Sequence, residues 1–181
     1  IIAHCQDGGE LESFWNAEAF MWSRKIEKEI RASITQELQF LAIGKNLDIG
    51  CGAYSYIPSV GFDLSPLMLK LNDSCYEKVQ GDAEQKLPFK DATFDSVTAI
   101  FVLNYVHNYL QLLQEIKRVL KPKGRFVMVL SAAKINEWQR RKEVNNFTAK
   151  KWKEIVEKEG FKMGLYPKEG WWFLKGVILS L

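Results

Sequence analysis

No apolar run in this chain is long enough to cross a bilayer, so a membrane span is not expected. Cysteine is scarce: Cys5, Cys51 and Cys75 are odd in number and show no CxxC spacing. That pattern excludes a disulfide framework and a zinc site, and reads as reduced thiols in a cytoplasmic protein. No metal is therefore expected. The opening residues Ile1 to Cys5 lack the charged start and apolar stretch of a secretory leader. Repeats, low-complexity tracts and Gly/Ser linkers are also missing, so the 181 residues are expected to form one domain. A net charge of +3 is too small to demand an acidic partner.

What is present is an alternation of periods. From Phe14 to Phe40, apolar residues at Phe14, Ala17, Met21, Trp22, Ile26, Ile30, Ile34, Leu38 and Leu41 recur in steps of three and four, the period of an amphipathic helix. Asn46 to Ile49 then reads as a short strand entering a glycine turn, and Val60 to Phe62 as a second strand ending at Asp63. Ser65-Pro66 is a helix start, with Ser as N-cap and Pro at the first helical position. Val79 marks a third strand before Gly81-Asp82. Ser96 to Leu103 and Arg125 to Leu130 are continuous apolar runs, as in strands covered on both faces. Asn108 and Thr148 can cap the helices that follow them, and Gly160 stops the second. Phe161 to Leu165 and Trp171 to Leu179 close the chain as strands joined through Pro167 to Gly170. Trp171-Trp172-Phe173 reads first as buried strand and only second as a stacking surface.

Strands alternating with helices imply an α/β fold: a parallel sheet with helices on both faces and right-handed crossovers. Ligands in such sheets sit at the carboxyl ends of the strands. Asp48 to Gly52, Asp63, Gly81-Asp82 and Asn104-Tyr105 each follow a strand, so all would converge on one edge. Gly50 and Gly52 permit a tight turn and close approach of a ligand to backbone. Asp63 is an acceptor placed for two ribose hydroxyls, and Asp82 for an adenine amino group.

The ordered set Leu47-Asp48-Ile49-Gly50-Cys51-Gly52, Phe62 to Leu69, Gly81-Asp82-Ala83-Glu84, Val102 to Tyr105 and Leu120 to Phe126 resembles the class I S-adenosylmethionine-dependent methyltransferases. The resemblance covers about Lys45 to Ser131. It implies a three-layer Rossmann-like fold, with a mostly parallel seven-stranded sheet and an antiparallel C-terminal strand. It also implies a helical cap or lid over 1–42, a cofactor-binding core over 45–131 and a C-terminal helix and strand pair over 132–181. The cofactor implied is S-adenosyl-L-methionine, with Asp48, Gly50, Gly52, Asp63, Leu64, Met68, Asp82, Ala83 and Asn104 as its binding residues.

Two departures from the family pattern stand out. Only thirteen positions separate Gly50 from Asp63 (63 − 50 = 13), so the helix after the turn must shrink to about a turn or become the loop Tyr54 to Pro58. Tyr54 occupies the place of the usual third glycine, so the carboxyl end of the cofactor is expected to be held differently.

Methyl transfer asks mainly for alignment, so no firm general base is expected. Tyr105 and His107 are the catalytic candidates. Trp15, Trp22 and Tyr105 are candidates for the substrate pocket and lid, with Phe14 and Phe20 as further aromatics of that segment. A small-molecule acceptor is the first expectation. The alternatives are a tRNA or protein methyltransferase needing a partner, or a non-catalytic cofactor-binding scaffold. The basic stretch Lys134 to Lys153 would serve nucleic acid, but Glu137, Glu143 and Glu154 dilute it. A nicotinamide oxidoreductase is weakest, because the run after Gly50 lacks the last glycine of its fingerprint.

Overall fold

The computed structural model describes residues 8–132 and 145–179. The side chains of Trp22 and Ser23 lie outside that description, as do Arg140, Arg141 and Lys142 of the basic stretch.

Apolar runs buried on both faces become the parallel centre of the sheet. Strands β1 (Asn46–Ile49), β2 (Ser59–Asp63), β3 (Cys75–Gln80), β4 (Phe94–Ile100) and β5 (Leu120–Ser131) pair in parallel. The C-terminal strands β6 (Phe161–Lys168) and β7 (Trp171–Ile178) complete a seven-stranded sheet of order β3-β2-β1-β4-β5-β7-β6. β7 runs antiparallel to both neighbours. This is the mostly parallel Rossmann-like arrangement expected. The chain leaves β1 towards β3, then returns to the other side of β1 as β4, so the switch point lies at β1.

Helices α4 (Tyr109–Val119) and α5 (Ala149–Lys158) cover one face: Leu112, Leu113, Ile116, Val119, Trp152 and Val156 are buried there with Leu47, Val97, Phe126 and Met128. Each such aliphatic side chain contributes roughly 1.5–3 kcal/mol of burial. Helix α2 (Lys28–Leu38) packs Ile34 and Leu38 with Val127, Val129, Trp171 and Phe173. Trp171-Trp172-Phe173 is thus core strand, with Trp171 and Phe173 buried.

The N-terminal segment differs from one continuous helix. It breaks at Ile26-Glu27 into α1 (Gly8–Lys25) and α2, with Glu27 extended at ψ 146°. The break changes which face is apolar. Helix α1 turns Trp15 and Ala19 towards Ala53, Leu67 and Met68, leaving Phe20 and Met21 exposed. A single 3.6-residue phase drawn through both helices mixes these two faces.

Capping follows the residues present. Ser65 accepts the Met68 N–H at 3.0 Å to start α3 (Pro66–Leu71), and Thr148 accepts that of Lys151 at 3.1 Å. Asn108 holds the N-cap position of α4, but its amide donates to Gln111 rather than capping the backbone. The final hairpin is tighter than expected: β6 extends through Pro167, leaving Glu169-Gly170 as the turn, with Gly170 at φ +81°. Pro is accommodated because β6 is an edge strand.

Candidate active site

An open cleft of about 680 Å³, continuous with solvent, lies where β1, β2, β3 and β4 end. Its floor is the glycine turn. Gly50 and Gly52 both adopt the left-handed region, at φ +61° and +55°. At Gly50 a Cβ would stand 2.3 Å from Val102 Cγ2, so this position needs glycine twice over, for conformation and for space. No helix follows the turn; residues 51–58 are loop, the outcome expected from the short Gly50–Asp63 spacing.

Asp63 joins the turn to the next strand. Its Oδ2 accepts the Gly52 N–H at 2.8 Å and its Oδ1 accepts the Ser65 N–H at 2.9 Å. Burial pushes its carboxyl above the usual range, and the backbone donors pull it back. A carboxylate has about four lone-pair directions, so acceptor capacity remains for ligand hydroxyls beside these backbone donors.

Asp82 accepts the Glu84 N–H at 2.8 Å, which fixes the loop after β3. Asp82, Ala83, Leu64 and Met68 line the cleft beside Asp63. A Cβ on Gly81 would meet the Phe62 ring at 2.5 Å, so the backbone there lies flat on an aromatic wall.

Asp48 sits apart from the cleft. It is buried, accepting from Ser55 Oγ at 2.6 Å and Thr98 Oγ1 at 2.7 Å, and it lines a smaller adjoining hollow. Burial raises its carboxyl to about 6 against those two hydrogen bonds, with Asp63 adding repulsion. The same network continues through Asn46, which donates to Thr98 at 3.0 Å and Ser59 at 2.8 Å. Asn72 extends it, donating to Ser55 at 3.1 Å and to the Gly52 carbonyl at 3.0 Å. These buried hydrogen bonds brace the glycine turn from below. The sequence signal for them was two polar residues, Asn46 and Asp48, inside an otherwise apolar strand.

Across the cleft, Trp15 of α1 meets Tyr105 edge-on at 5.0 Å, and both line it. Helix α1 is tied there by Ser65 Oγ, which donates to Asn16 Oδ1 at 2.6 Å. Phe14 packs on Trp15, whereas Phe20 points to solvent. Asn104 is not among the lining residues; its carbonyl accepts the Asn145 N–H at 3.3 Å. His107 is exposed outside the lining, with its N–H and Nδ1 at 2.8 and 3.1 Å from Glu84 Oε1. Lining residues that no motif pointed to include Leu11, Ile100, Val106 and Phe101, which holds φ +57° immediately after β4. A bulky residue in that region is strained and reports a backbone forced by its surroundings.

Glycines without room for a Cβ, an acid at the end of the second strand and the switch-point position together define a class. It is the class of the S-adenosylmethionine-dependent methyltransferases, to which the chain is similar in its central part and in its fold. Residues 47–128 match the family described as Methyltransferase domain. The chain is 30% identical over 138 residues to a sterol 4-C-methyltransferase of Caenorhabditis elegans, covering 65% of this chain and 40% of that protein. It is 38% identical over 112 residues to a demethylmenaquinone methyltransferase of Streptomyces avermitilis, covering 60% and 48%. It therefore spans less than half the length of these relatives. The fold is shared with a Thermotoga maritima S-adenosylmethionine-dependent methyltransferase, described as a possible histamine N-methyltransferase, at a TM-score of 0.74. That match has 17% identity and covers 91% and 98% of the two chains. Among the described residues no helix is long and apolar enough to cross a membrane.

Proposed function

We propose that the cleft binds S-adenosylmethionine and directs its methyl group to a small apolar acceptor. The observation that carries this reading is the pairing of a Cβ-free turn at Gly50 and Gly52 with Asp63, hydrogen-bonded to that turn. The residues fit the cofactor. Asp63 offers acceptors to ribose hydroxyls, Asp82 and Ala83 flank the adenine position, and Leu64 and Met68 supply apolar contact. Asp48 supports the turn from beneath rather than from within the cleft.

S-adenosylmethionine supplies a methyl already activated on a sulfonium, so the protein's task is approach, alignment and exclusion of water. Trp15, Phe101, Val102 and Tyr105 wall the cleft with apolar and aromatic surface. The two relatives are named for a sterol and a menaquinone precursor, both apolar ring compounds, which suits such a wall. Tyr105 is the better catalytic candidate, since it lines the cleft and His107 does not. Residues 1–42 act as cap, 45–131 as cofactor core and 132–181 as C-terminal support. The free thiols Cys51 and Cys75 suit a reducing compartment, the cytoplasm.

Calorimetric titration with S-adenosylmethionine, followed by transfer of a labelled methyl to quinol and sterol acceptors, tests the reading. Saturable binding and labelled product support it; absence of binding overturns it.

A further inference from the structure

Helix α2 covers only part of the sheet face it packs on. Its Ile34 and Leu38 seal Val127, Val129, Trp171 and Phe173, and the helix ends there. Beyond it, the cross-strand register sets Arg125, Val177 and Lys162 side by side on the same face, with Lys175 next to them. Arg125, Lys162 and Val177 are exposed.

This strip is basic and apolar at once. Strands β5, β6 and β7 carry Lys121, Lys123, Arg125, Lys162, Lys168 and Lys175 and no acid. Lys121 is paired with Asp95 and Lys168 with Glu37. Among the described residues no carboxylate stands within ion-pair distance of Arg125, Lys162 or Lys175. Phe40, Tyr166 and Leu179 are exposed beside these cations. The Tyr166 ring lies down over Gly164, where a Cβ would meet its hydroxyl at 2.6 Å. In the turn from α2 to β1, Ile43 is 99% exposed.

Chemistry narrows the partner. Cations without neighbouring acids attract phosphate. Nucleic acid offers phosphate, but its bases stack on free ring faces. Here cations already occupy the rings: Arg125 and Lys175 sit 5.2 and 4.9 Å from the Phe40 centre, and Lys175 5.7 Å from that of Tyr166. Ile43, Val177 and Leu179 offer a base no hydrogen bond, whereas a lipid surface takes up such side chains at the headgroup level. A second copy of the same strip would set cation against cation.

We propose that this strip is a docking face for an anionic membrane, with Arg125, Lys162 and Lys175 on lipid phosphates and Ile43, Val177 and Leu179 entering the acyl boundary. The cleft lies at the carboxyl ends of the parallel strands, whereas Arg125 pairs with Ser96 near the start of β4. Lipid on the strip therefore leaves the cleft open, and docking does not depend on what the cleft binds.

Vesicle sedimentation tests this, with equal parts phosphatidylcholine and phosphatidylglycerol against phosphatidylcholine alone. The unaltered protein is expected to pellet with the anionic vesicles and to stay in solution with the neutral ones. Arg125→Gln, Lys162→Gln and Lys175→Gln should each lower the partition coefficient about fivefold. Val177→Ser combined with Leu179→Ser should lower it roughly tenfold. Lys150→Gln, on exposed α5 surface across the sheet, should change it less than about twofold. Unchanged urea midpoints show that the variants are folded. No pelleting with anionic vesicles, equal pelleting with both kinds, or no loss in the strip variants overturns the docking face. So does binding of single-stranded oligouridylate without vesicle binding, or a dimer in sedimentation velocity that Val177→Ser disperses.

Discussion

The carboxylate of Asp63 accepts the backbone N–H of Gly52 at 2.8 Å, eleven residues away and across a strand boundary. One side chain thus holds the glycine turn in its left-handed shape and stands in the cleft that the turn shapes. Its loss must be felt in both the protein and the ligand.

Asp63→Ala leaves the Gly52 and Ser65 amides without their buried acceptor. Binding of S-adenosylmethionine is expected to weaken by about 1–3 kcal/mol. Asp63→Asn keeps one acceptor oxygen and should recover part of that. Isothermal titration of both variants checks the order.

Gly50→Ala meets two obstacles, a φ of +61° and a Val102 methyl at 2.3 Å. Destabilisation of about 1–3 kcal/mol is expected from overpacking, with roughly 1–2 kcal/mol more from the left-handed backbone. Adding Val102→Ala removes the methyl at 2.3 Å but leaves the Cβ at 2.9 Å, so it should return only some of the first part and none of the second. Urea denaturation of the single and double variants separates them.

Asp48 gives a pH signature. Its folded carboxyl sits near 6, above an ordinary 3.8. The folded state therefore takes up a proton before the unfolded state as pH falls. Relative to Asp48→Asn, which cannot titrate, the unaltered protein should gain stability between about pH 6 and pH 4, by on the order of 2–3 kcal/mol. Denaturation at pH 7.5 and pH 4.5 measures the difference; a gap between the two proteins that stays constant with pH contradicts it.

Trp15 ties α1 to Tyr105 through an edge-on contact at 5.0 Å. Such a pair is worth about 0.5–1.5 kcal/mol beyond its buried area. Trp15→Ala should lower cofactor affinity several-fold and speed amide exchange in α1. Phe20→Ala, on the solvent side of the same helix, should leave both unchanged.

Much of this architecture was legible because local chemistry and global fold agree. The apolar runs at Ser96 to Leu103 and Arg125 to Leu130 supplied the central strands, though the first strand ends at Ile100 and Leu103 already starts a 3-10 turn; Ser65 and Thr148 capped as their types demand, and the short Gly50–Asp63 spacing announced the missing helix. What stayed hidden depends on contacts across sequence. Helical period alone could not reveal that α1 and α2 bury different faces, since that is decided by Ala53 and Met68 on one side and Val127 and Phe173 on the other. Asp48 was legible as a motif acid, but its partners Ser55 and Thr98, 7 and 50 residues away, were not.

A crystal structure with S-adenosylhomocysteine tests the central claim most directly. The account predicts the nucleoside lying over Gly50 and Gly52, ribose hydroxyls within hydrogen-bond reach of Asp63 and adenine beside Asp82 and Ala83. Nucleoside bound away from that turn, or none bound at saturating ligand, would contradict it.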